Sequence, residues 1–355
     1  MKTLIDGEKL FPVFSKNLAV PEVNLFVIGD PGYKVNVLER HVAEAMDLYR
    51  SGQLPLSDGS AIALDAVVTT GDNFETDDQS FEDAVKPQFE EAFAMFDVPF
   101  YITLGNHDFA SPSKAEAEWK YAKDDEDEGG SPRWTVGSEF SFRHYRVDLP
   151  SSDEPLVTLI ELDSNRAKQV EEGATFLQQQ LDAIDQEGKP RWIAVFTHYP
   201  LYTNGCHKEG SEFPNRWKPL LQNRVHFYLC GHNHHLEHLE VEDPPGTRLT
   251  TSFILSGAGG QVYKIRSHTR TPFSRSLAGF FHLRFLADKA IVRAIGFSKD
   301  QPPSAAMIVH SFERNFATGE IAITTPVDMN TGEIPPALLA DDIGKPGELH
   351  HLCGE

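Results

Sequence analysis

The sequence predicts a protein of the α/β class, and three observations carry that reading. Short apolar runs rich in β-branched and aromatic residues recur along the 355-residue chain. Several of them are followed by stretches with apolar residues at helical spacing, closed by glycine. Five of the apolar runs also end, on their carboxyl side, in a turn that carries an acid, an amide or a histidine. A hydrophobic content of 40% allows the core that one large domain of this length requires.

In chain order, residues 1–22 read as a lead-in arm. Residues 24–28 are an apolar run, expected as a buried strand, that stops at Gly29-Asp30-Pro31-Gly32. Val37, Leu38, Val42, Ala45, Met46 and Tyr49 then recur at helical spacing, with Gly52 as the stop. The pattern repeats at 66–70, which runs into Gly71-Asp72-Asn73-Phe74-Glu75. Phe81, Val85, Phe89 and Phe93 predict a helix that Pro87 should kink or divide. Residues 99–104 form a third predicted strand, ending at Gly105-Asn106-His107-Asp108.

Residues 110–140 read differently: an acidic run at 124–128 before Gly129-Gly130 marks a solvated loop rather than a cation site. Strands are expected at 140–147 and 156–162, then a helix through Phe176, Leu177, Leu181 and Ile184 that closes at Gly188. The strand 192–196 delivers Thr197-His198-Tyr199-Pro200, and 225–229 delivers Cys230-Gly231-His232-Asn233-His234-His235. A further strand at 253–256 meets the turn Gly257 to Gly260, and 280–286 with 290–295 predict a hairpin. Beyond about 300 the patterning weakens, which suggests an appended tail.

Charge narrows the partners. With 32 basic and 53 acidic side chains the formal charge is −21. That excludes a nucleic-acid backbone or an anionic membrane as the main partner. A small anionic substrate remains compatible, because bound cations reverse a local field. Cys206, Cys230 and Cys353 are odd in number and lack motif spacing, so neither a disulfide framework nor a structural zinc site is expected. The first 16 residues carry Lys2, Asp6, Glu8 and Lys9 and no apolar core of a signal peptide, and no stretch is long enough to span a membrane. The expectation is a cytoplasmic protein.

His232 and His234 are two residues apart, so in an extended segment both rings point the same way. Imidazole is the commonest metal ligand. The strand-end residues Asp30, Asp72, Asn106 and His198 are the candidate partners, since open α/β sheets gather ligands at the carboxyl edge. Each has a plainer alternative: Asp30 and Asp72 as caps of the following helices, His198 as a turn residue, Asn106 and His107 as loop stabilisers. Together they form a mixed oxygen and nitrogen set suited to first-row transition metals, and the lack of thiolates argues against structural zinc. Two ions about 3.5–4 Å apart, bridged by one anionic ligand, would suit in-line displacement at phosphorus. Phosphate-ester hydrolysis depends largely on such positioning and charge stabilisation.

These blocks, Asp30-x-Gly32, Gly71-Asp72, Gly105-Asn106-His107-Asp108, the strand ending in His198, and Gly231-His232-x-His234, resemble the motifs of the calcineurin-like metallophosphoesterases. Within that superfamily the chain is most similar to the small purple acid phosphatases of the tartrate-resistant type, over about residues 24–290. The resemblance implies a two-sheet β-sandwich flanked by helices, which the strand count allows as readily as a doubly wound sheet. It implies a lead-in arm at 1–22, a catalytic domain at 23–298 and a C-terminal extension at 299–355. It also implies two metal ions, iron, manganese or zinc: one held by Asp30, Asp72 and His234, the second by Asp72, Asn106, His198 and His232. His107 matches a histidine that holds the phosphate or protonates the leaving oxygen, and His207 matches another lining the substrate site. Asp108 is expected to orient His107.

The implied activity is a metal-dependent phosphomonoesterase acting on a small phosphorylated substrate. A phosphodiesterase or nucleotide pyrophosphatase is the alternative. A degenerate phosphate-binding protein, and a hydrolase of amides or lactones, are further ones. One position departs from the purple enzymes: Glu75 stands where they have a metal-binding tyrosine. Without a phenolate the protein should not be purple, its first metal can be divalent, and Glu75 is itself a candidate ligand. Gly32 stands where other branches of the superfamily carry a histidine.

Overall fold

The computed structural model describes residues 21–32, 37–54, 59–74, 80–124, 130–137, 143–207, 216–266, 272–324 and 343–344. Glu75, most of the N-terminal arm, most of the acidic run and Cys353 lie outside the described residues.

The first half of the chain alternates strand and helix. Strand β1 (Val23–Ile28) leads to helix α1 (Val37–Arg50), and β2 (Ala66–Thr69) to helix α2 (Phe81–Val85). Ser80 caps α2 by accepting from the Asp83 N–H. Pro87 divides the predicted helix: residues Lys86–Glu91 continue as a π-helical segment. The third strand is shorter than expected, β3 (Phe100–Tyr101).

The segment read as a loop holds two elements, helix α3 (Pro112–Lys123) and strand β4 (Trp134–Thr135). Ser111 caps α3 and Pro112 opens it, both ordinary start signals. What hid it is its buried face, Ala115, Glu118, Trp119 and Ala122, which places a carboxylate and two small residues where periodicity looks for large apolar ones.

The second half supplies β5 (Tyr145–Leu149), β6 (Val157–Glu161), α4 (Ala167–Glu187), β7 (Trp192–Phe196), the short α5 (Lys218–Leu221) and β8 (Phe227–Cys230). Gly188 closes α4 in the left-handed conformation. Then follow β9 (Leu236–Glu242), β10 (Arg248–Ser256), β11 (Phe273–Arg275), β12 (Ala278–Phe285) and β13 (Lys289–Phe297). Where weak patterning suggested a tail, β14 (Met307–Asn315) and β15 (Ile321–Thr324) are strands at the edge of a sheet.

The strands form two mixed sheets, ordered β15-β14-β13-β12-β1-β2-β3-β4 and β11-β9-β10-β8-β7-β6-β5. Strands β1 to β4 run parallel, as do β6, β7, β8 and β10. Alternation along the second sheet shows how the layers stack. Trp192, Ala194 and Phe196 of β7, with Phe227 and Leu229 of β8, join the same core as Leu25, Val27 and Phe281 of the first sheet. Ile193, Val195, Tyr228 and Cys230, one residue out of phase, pack instead with Leu177, Leu181 and Ile184 of α4. Helix α1 covers the outer face of the first sheet, where Tyr49 Oη lies 3.1 Å from His282 Nδ1. The result is a two-sheet sandwich flanked by helices. Burial on both faces is why the central strands read as unbroken apolar runs. Among the described residues no helix is long and apolar enough to cross a membrane.

Candidate metal centre

The parallel strands of both sheets end together, and their last residues carry the polar side chains. β1 runs into Asp30 and β2 into Asp72, β3 leads to Asn106 and His107, β7 ends before His198, and β8 before His232. Backbone bonds lace these loops: Asp30 N–H donates to Gly71 O at 2.9 Å, Gly32 N–H to Asp72 O at 3.1 Å, and Gly231 N–H to His198 O at 3.0 Å. Among the described residues five non-glycine residues have positive φ, and Asp30 (55°), Asp72 (50°) and His232 (69°) are three of them. Asp and His enter this region more readily than most residues, yet it carries strain that the surroundings must hold in place.

Two glycines give the carboxylates room. A Cβ on Gly105 would stand 2.0 Å from Asp72 Oδ1, and one on Gly231 would stand 2.5 Å from Asp30 Oδ2.

Four side chains converge on one point. His198 Nε2 lies 3.0 Å from Asn106 Oδ1, 3.2 Å from His232 Nδ1 and 3.4 Å from Asp72 Oδ2. Asp72, His198 and His232 offer ligand atoms that all lie within 4.8 Å of one another. His198 Nδ1 faces the Thr70 carbonyl at 2.9 Å, so that nitrogen carries a proton and Nε2 is the one turned toward the other three side chains. An amide oxygen, a second imidazole nitrogen and a carboxylate oxygen gathered within 3.4 Å of one ring nitrogen are a set that a cation would hold together. The donor set therefore fits a metal ion.

Beside this group, His234 Nε2 lies 3.4 Å from Asp30 Oδ1. The Asp30 carboxylate also accepts the His232 backbone N–H at 2.9 Å, and Asp72 Oδ1 accepts the His107 N–H at 2.8 Å. Burial, opposed by His198 and reinforced by the Asp72 charge, holds the Asp30 carboxyl well above the usual carboxylate range. Burial and the neighbouring histidines hold His232 well below the usual imidazole range, so it is neutral, the form that ligates. A buried carboxyl pair beside the neutral His232 imidazole is the electrostatic complement of a cation.

The structure brings His207 to the same place. Its ring centroid lies 4.7 Å from that of His232, and its backbone N–H donates to Asn233 Oδ1 at 2.8 Å. Burial pushes the His207 imidazole down to about 4. His107 follows Asn106 directly, half-buried at the rim. Glu75 lies outside the described residues.

Asp108 has a part that the sequence did not suggest. Its carboxylate accepts the backbone N–H groups of Asn73 and Phe74, both at 2.9 Å, and of Gly105 at 2.8 Å. It braces the Asp72 loop against the Asn106 loop, because the two backbones turn their amides toward it. Burial and the Asp72 charge raise this carboxyl to about 7, against those three hydrogen bonds. Gly32 is likewise explained: a Cβ there would lie 2.3 Å from Asn73 O, so no larger side chain fits that backbone.

Two contributors were missed in the sequence. The Tyr263 ring stacks on His234 with centroids 4.4 Å apart and planes 14° apart. Glu118 of α3 accepts from Asn73 Nδ2 at 2.9 Å behind the Asp72 loop. Neither has a local motif; both depend on loops and helices meeting in space. A third correction concerns the cysteines. Cys206, next to His207, is disulfide-bonded while Cys230 is free, contrary to the expectation of no disulfide.

Comparison with known proteins agrees with this geometry. The chain is 26% identical over 277 residues to tartrate-resistant acid phosphatase type 5 of Homo sapiens, covering 71% of this chain and 77% of that protein. It is 27% identical over 257 residues to purple acid phosphatase 17 of Arabidopsis thaliana, covering 68% and 70%. Among solved structures it shares its fold with GAP50, the anchor in the inner membrane complex of Plasmodium, at a TM-score of 0.64 and 18% identity, covering 84% of this chain and 90% of that one. PhoD aligns at a TM-score of 0.57 and 11% identity, covering 90% and 74%. The model of the calcineurin-like phosphoesterase family matches residues 23–236. Strand ends, donor set and family match coincide, and the chain belongs to the calcineurin-like phosphoesterases, as a metal-dependent phosphatase.

Proposed function

We propose that the protein is a dinuclear-metal phosphomonoesterase. The observation that carries this reading is the convergence of Asp72, Asn106, His198 and His232 beside the pair Asp30 and His234. Asp72 belongs to both groups: one oxygen faces His198, and its charge acts on Asp30. In this reading Asp72 is the shared ligand, Asp30 and His234 complete one site, and Asn106, His198 and His232 complete the other. Two bound cations would lower the pKa of a water, orient the phosphate and offset charge on the attacking and leaving oxygens.

The chain's own residues supply the rest. Asp108 and the glycines fix the two carboxylate loops, so the ligand oxygens are held before substrate arrives. His207, neutral and half-buried beside the His232 ring, donates a ring N–H to a phosphate oxygen. His107, half-buried and next to Asn106 in the chain, holds the phosphate or delivers a proton to the leaving oxygen. The likeness to acid phosphatases supports a monoester as substrate.

A matrix of manganese, zinc, iron and magnesium against a chromogenic monoester, a diester and a nucleotide panel tests this. The expected result is metal-dependent turnover, highest on the monoester, with two metal ions per chain and loss of at least 100-fold in Asp72→Asn. A diester turned over faster than the monoester would replace the substrate assignment, and one ion at full activity would overturn the dinuclear one.

A further inference from the structure

A second polar cavity lies at the far end of the same strands. It has a volume of about 370 Å³ and is formed where the start of β8, the start of β10 and the turn after β14 meet. From His226 at this cavity to His232 at the metal centre the chain covers six residues, on the order of 20 Å if extended. The protein has a formal charge of −21, yet the cavity is lined by Arg224, Arg248 and Arg314 and by no acidic residue among the described ones.

The three arginines differ. Arg224 is paired with Asp182 and Asp185, at 2.8 and 2.7 Å, and Arg248 with Glu240 at 3.0 Å. Arg314 is only 3% exposed and has no ion pair among the described residues. Its Nη1 donates to Ser252 Oγ at 2.9 Å and its Nη2 to the Thr250 carbonyl, both neutral acceptors. Its Nε, like that of Arg224, is buried without an acceptor. The carboxylate that acts on it, Glu240, is held at one remove through Ser252, whose hydroxyl donates to Glu240 Oε1 at 2.5 Å, and is already paired with Arg248. A buried guanidinium with its counter-charge shared and out of direct contact is costly, and an anion relieves that cost most effectively.

His226 adds a neutral donor. Its Nδ1 accepts the Ile193 N–H at 3.0 Å, which leaves the ring proton on Nε2. Burial and the Arg314 charge push this imidazole down to about 4, so the tautomer persists at neutral pH. Phe316 stacks on the ring at 5.3 Å and fixes its plane.

We propose that this cavity is a binding site for a tetrahedral oxyanion, a phosphate that is free or borne on a small molecule, held by Arg314 and His226 and separate from the metal centre. Guanidinium and imidazole N–H groups match phosphate oxygens in charge and direction. The volume admits a small organic group beyond the phosphate itself.

Calorimetric titration of the full-length protein with inorganic phosphate tests the site. Full-length Asp72→Asn, in which the metal centre is impaired, is expected to keep one saturable phosphate site. Arg314→Gln in that background should weaken the site at least tenfold. Thr318→Glu, which sets a carboxylate on the exposed rim and leaves the buried guanidinium in place, should do the same if Arg314→Gln fails to fold. Glycerol phosphate and succinate complete the series. Phosphate binding with weaker glycerol phosphate marks free phosphate as the ligand, and the reverse order marks a phosphorylated molecule. Succinate binding as tightly as phosphate overturns the oxyanion assignment. Loss of all saturable binding in Asp72→Asn, or binding indifferent to Thr318→Glu, overturns the site and leaves the reading of the metal centre untouched.

Discussion

Replacing Gly105 with alanine adds one carbon where the Asn106 loop meets Asp72, and the structure fixes where that carbon goes. It would stand 2.0 Å from Asp72 Oδ1 and 2.3 Å from the Asp72 backbone nitrogen, against an ordinary contact that begins near 3.4 Å. The carboxylate alone cannot solve this by turning aside, because the backbone nitrogen is also in the way. The two loops must part by more than about 1 Å, and the bonds from Gly105 N–H to Asp108 and from His107 N–H to Asp72 must stretch. A displacement of about 1 Å within a catalytic array costs on the order of 10²-fold in rate. The assay is kcat/KM on a chromogenic monoester at saturating manganese, with bound metal counted by plasma mass spectrometry and folding followed by circular dichroism. The expected variant is folded, about 100-fold slower, and binds metal more weakly. Activity within threefold of the parent at unchanged metal content would refute the claim that Asp72 is held in place by this contact.

Asp108→Asn leaves one acceptor oxygen where two oxygens now accept the N–H groups of Asn73, Phe74 and Gly105. Urea unfolding should show a loss of about 2 kcal/mol, the cost of a buried donor left unmatched, and an unchanged midpoint would count against the bracing role. His310, buried with its Nε2 3.0 Å from His238 Nδ1, is pushed down to about 3 by burial and by His238. The unfolded chain binds a proton on this side chain below about 6.5 and the folded chain does not, so its contribution to stability falls as pH drops from there toward 3. Between pH 7.5 and 5.0 the parent should lose roughly 2 kcal/mol more than His310→Gln, on the scale of about 1.4 kcal/mol per pH unit; parallel pH profiles would contradict it. Finally, thiol labelling of the unreduced, denatured protein should modify Cys230 and spare Cys206, which should become labelled only after reduction. Labelling of Cys206 without reduction would exclude its disulfide.

The parts of the fold that were legible are those where burial is hydrophobic on both faces. β2 and β7 are apolar runs, and β1 nearly so, because helices cover the outer faces and the sheets cover each other, while the hairpin of β12 and β13 was legible from its apolar residues on the buried face. The elements that were missed bury polar residues through distant partners. Helix α3 turns Glu118 inward because Asn73 is there to bond it. Strand β9 buries Glu237 and His238, satisfied by Asn204 and by His310 and Glu240. β14 carries His310 and Arg314 inward for the same reason. None of these contacts is local, so periodicity registers a charged segment and reports a loop or tail. The site divides along the same line. Residues at strand ends stand out because a turn with an acid or a histidine after an apolar run is a local signal. The bracing role of Asp108 was not legible, since which backbone amides face a carboxylate depends on how two loops meet. Tyr263 and the Cys206 disulfide carry no local signal at all.

The positive φ angles at Asp30, Asp72 and His232 decide how this centre should be probed. A strand directs successive side chains to opposite faces of its sheet, so a ligand that simply continued the strand would point into a packed layer. The left-handed residue breaks that alternation at the strand end and lets the side chain face the gap between the two sheets. Each such residue costs of order 1 kcal/mol or more, offset here by bonds such as Gly71 O to the Asp30 N–H and the Asp30 carboxylate to the His232 N–H. Alanine at Asp30 or Asp72 would therefore remove a charge and at the same time burden the backbone, since it tolerates positive φ poorly. Asparagine tolerates that region well and keeps the shape of the side chain, so Asp30→Asn and Asp72→Asn isolate the charge. If charge is what the centre needs, each asparagine variant should lose metal affinity while holding its unfolding midpoint close to that of the metal-free parent, and the alanine variants should lose both. Asparagine variants that unfold as early as the alanine ones would show that the carboxylates serve chiefly to hold the loops.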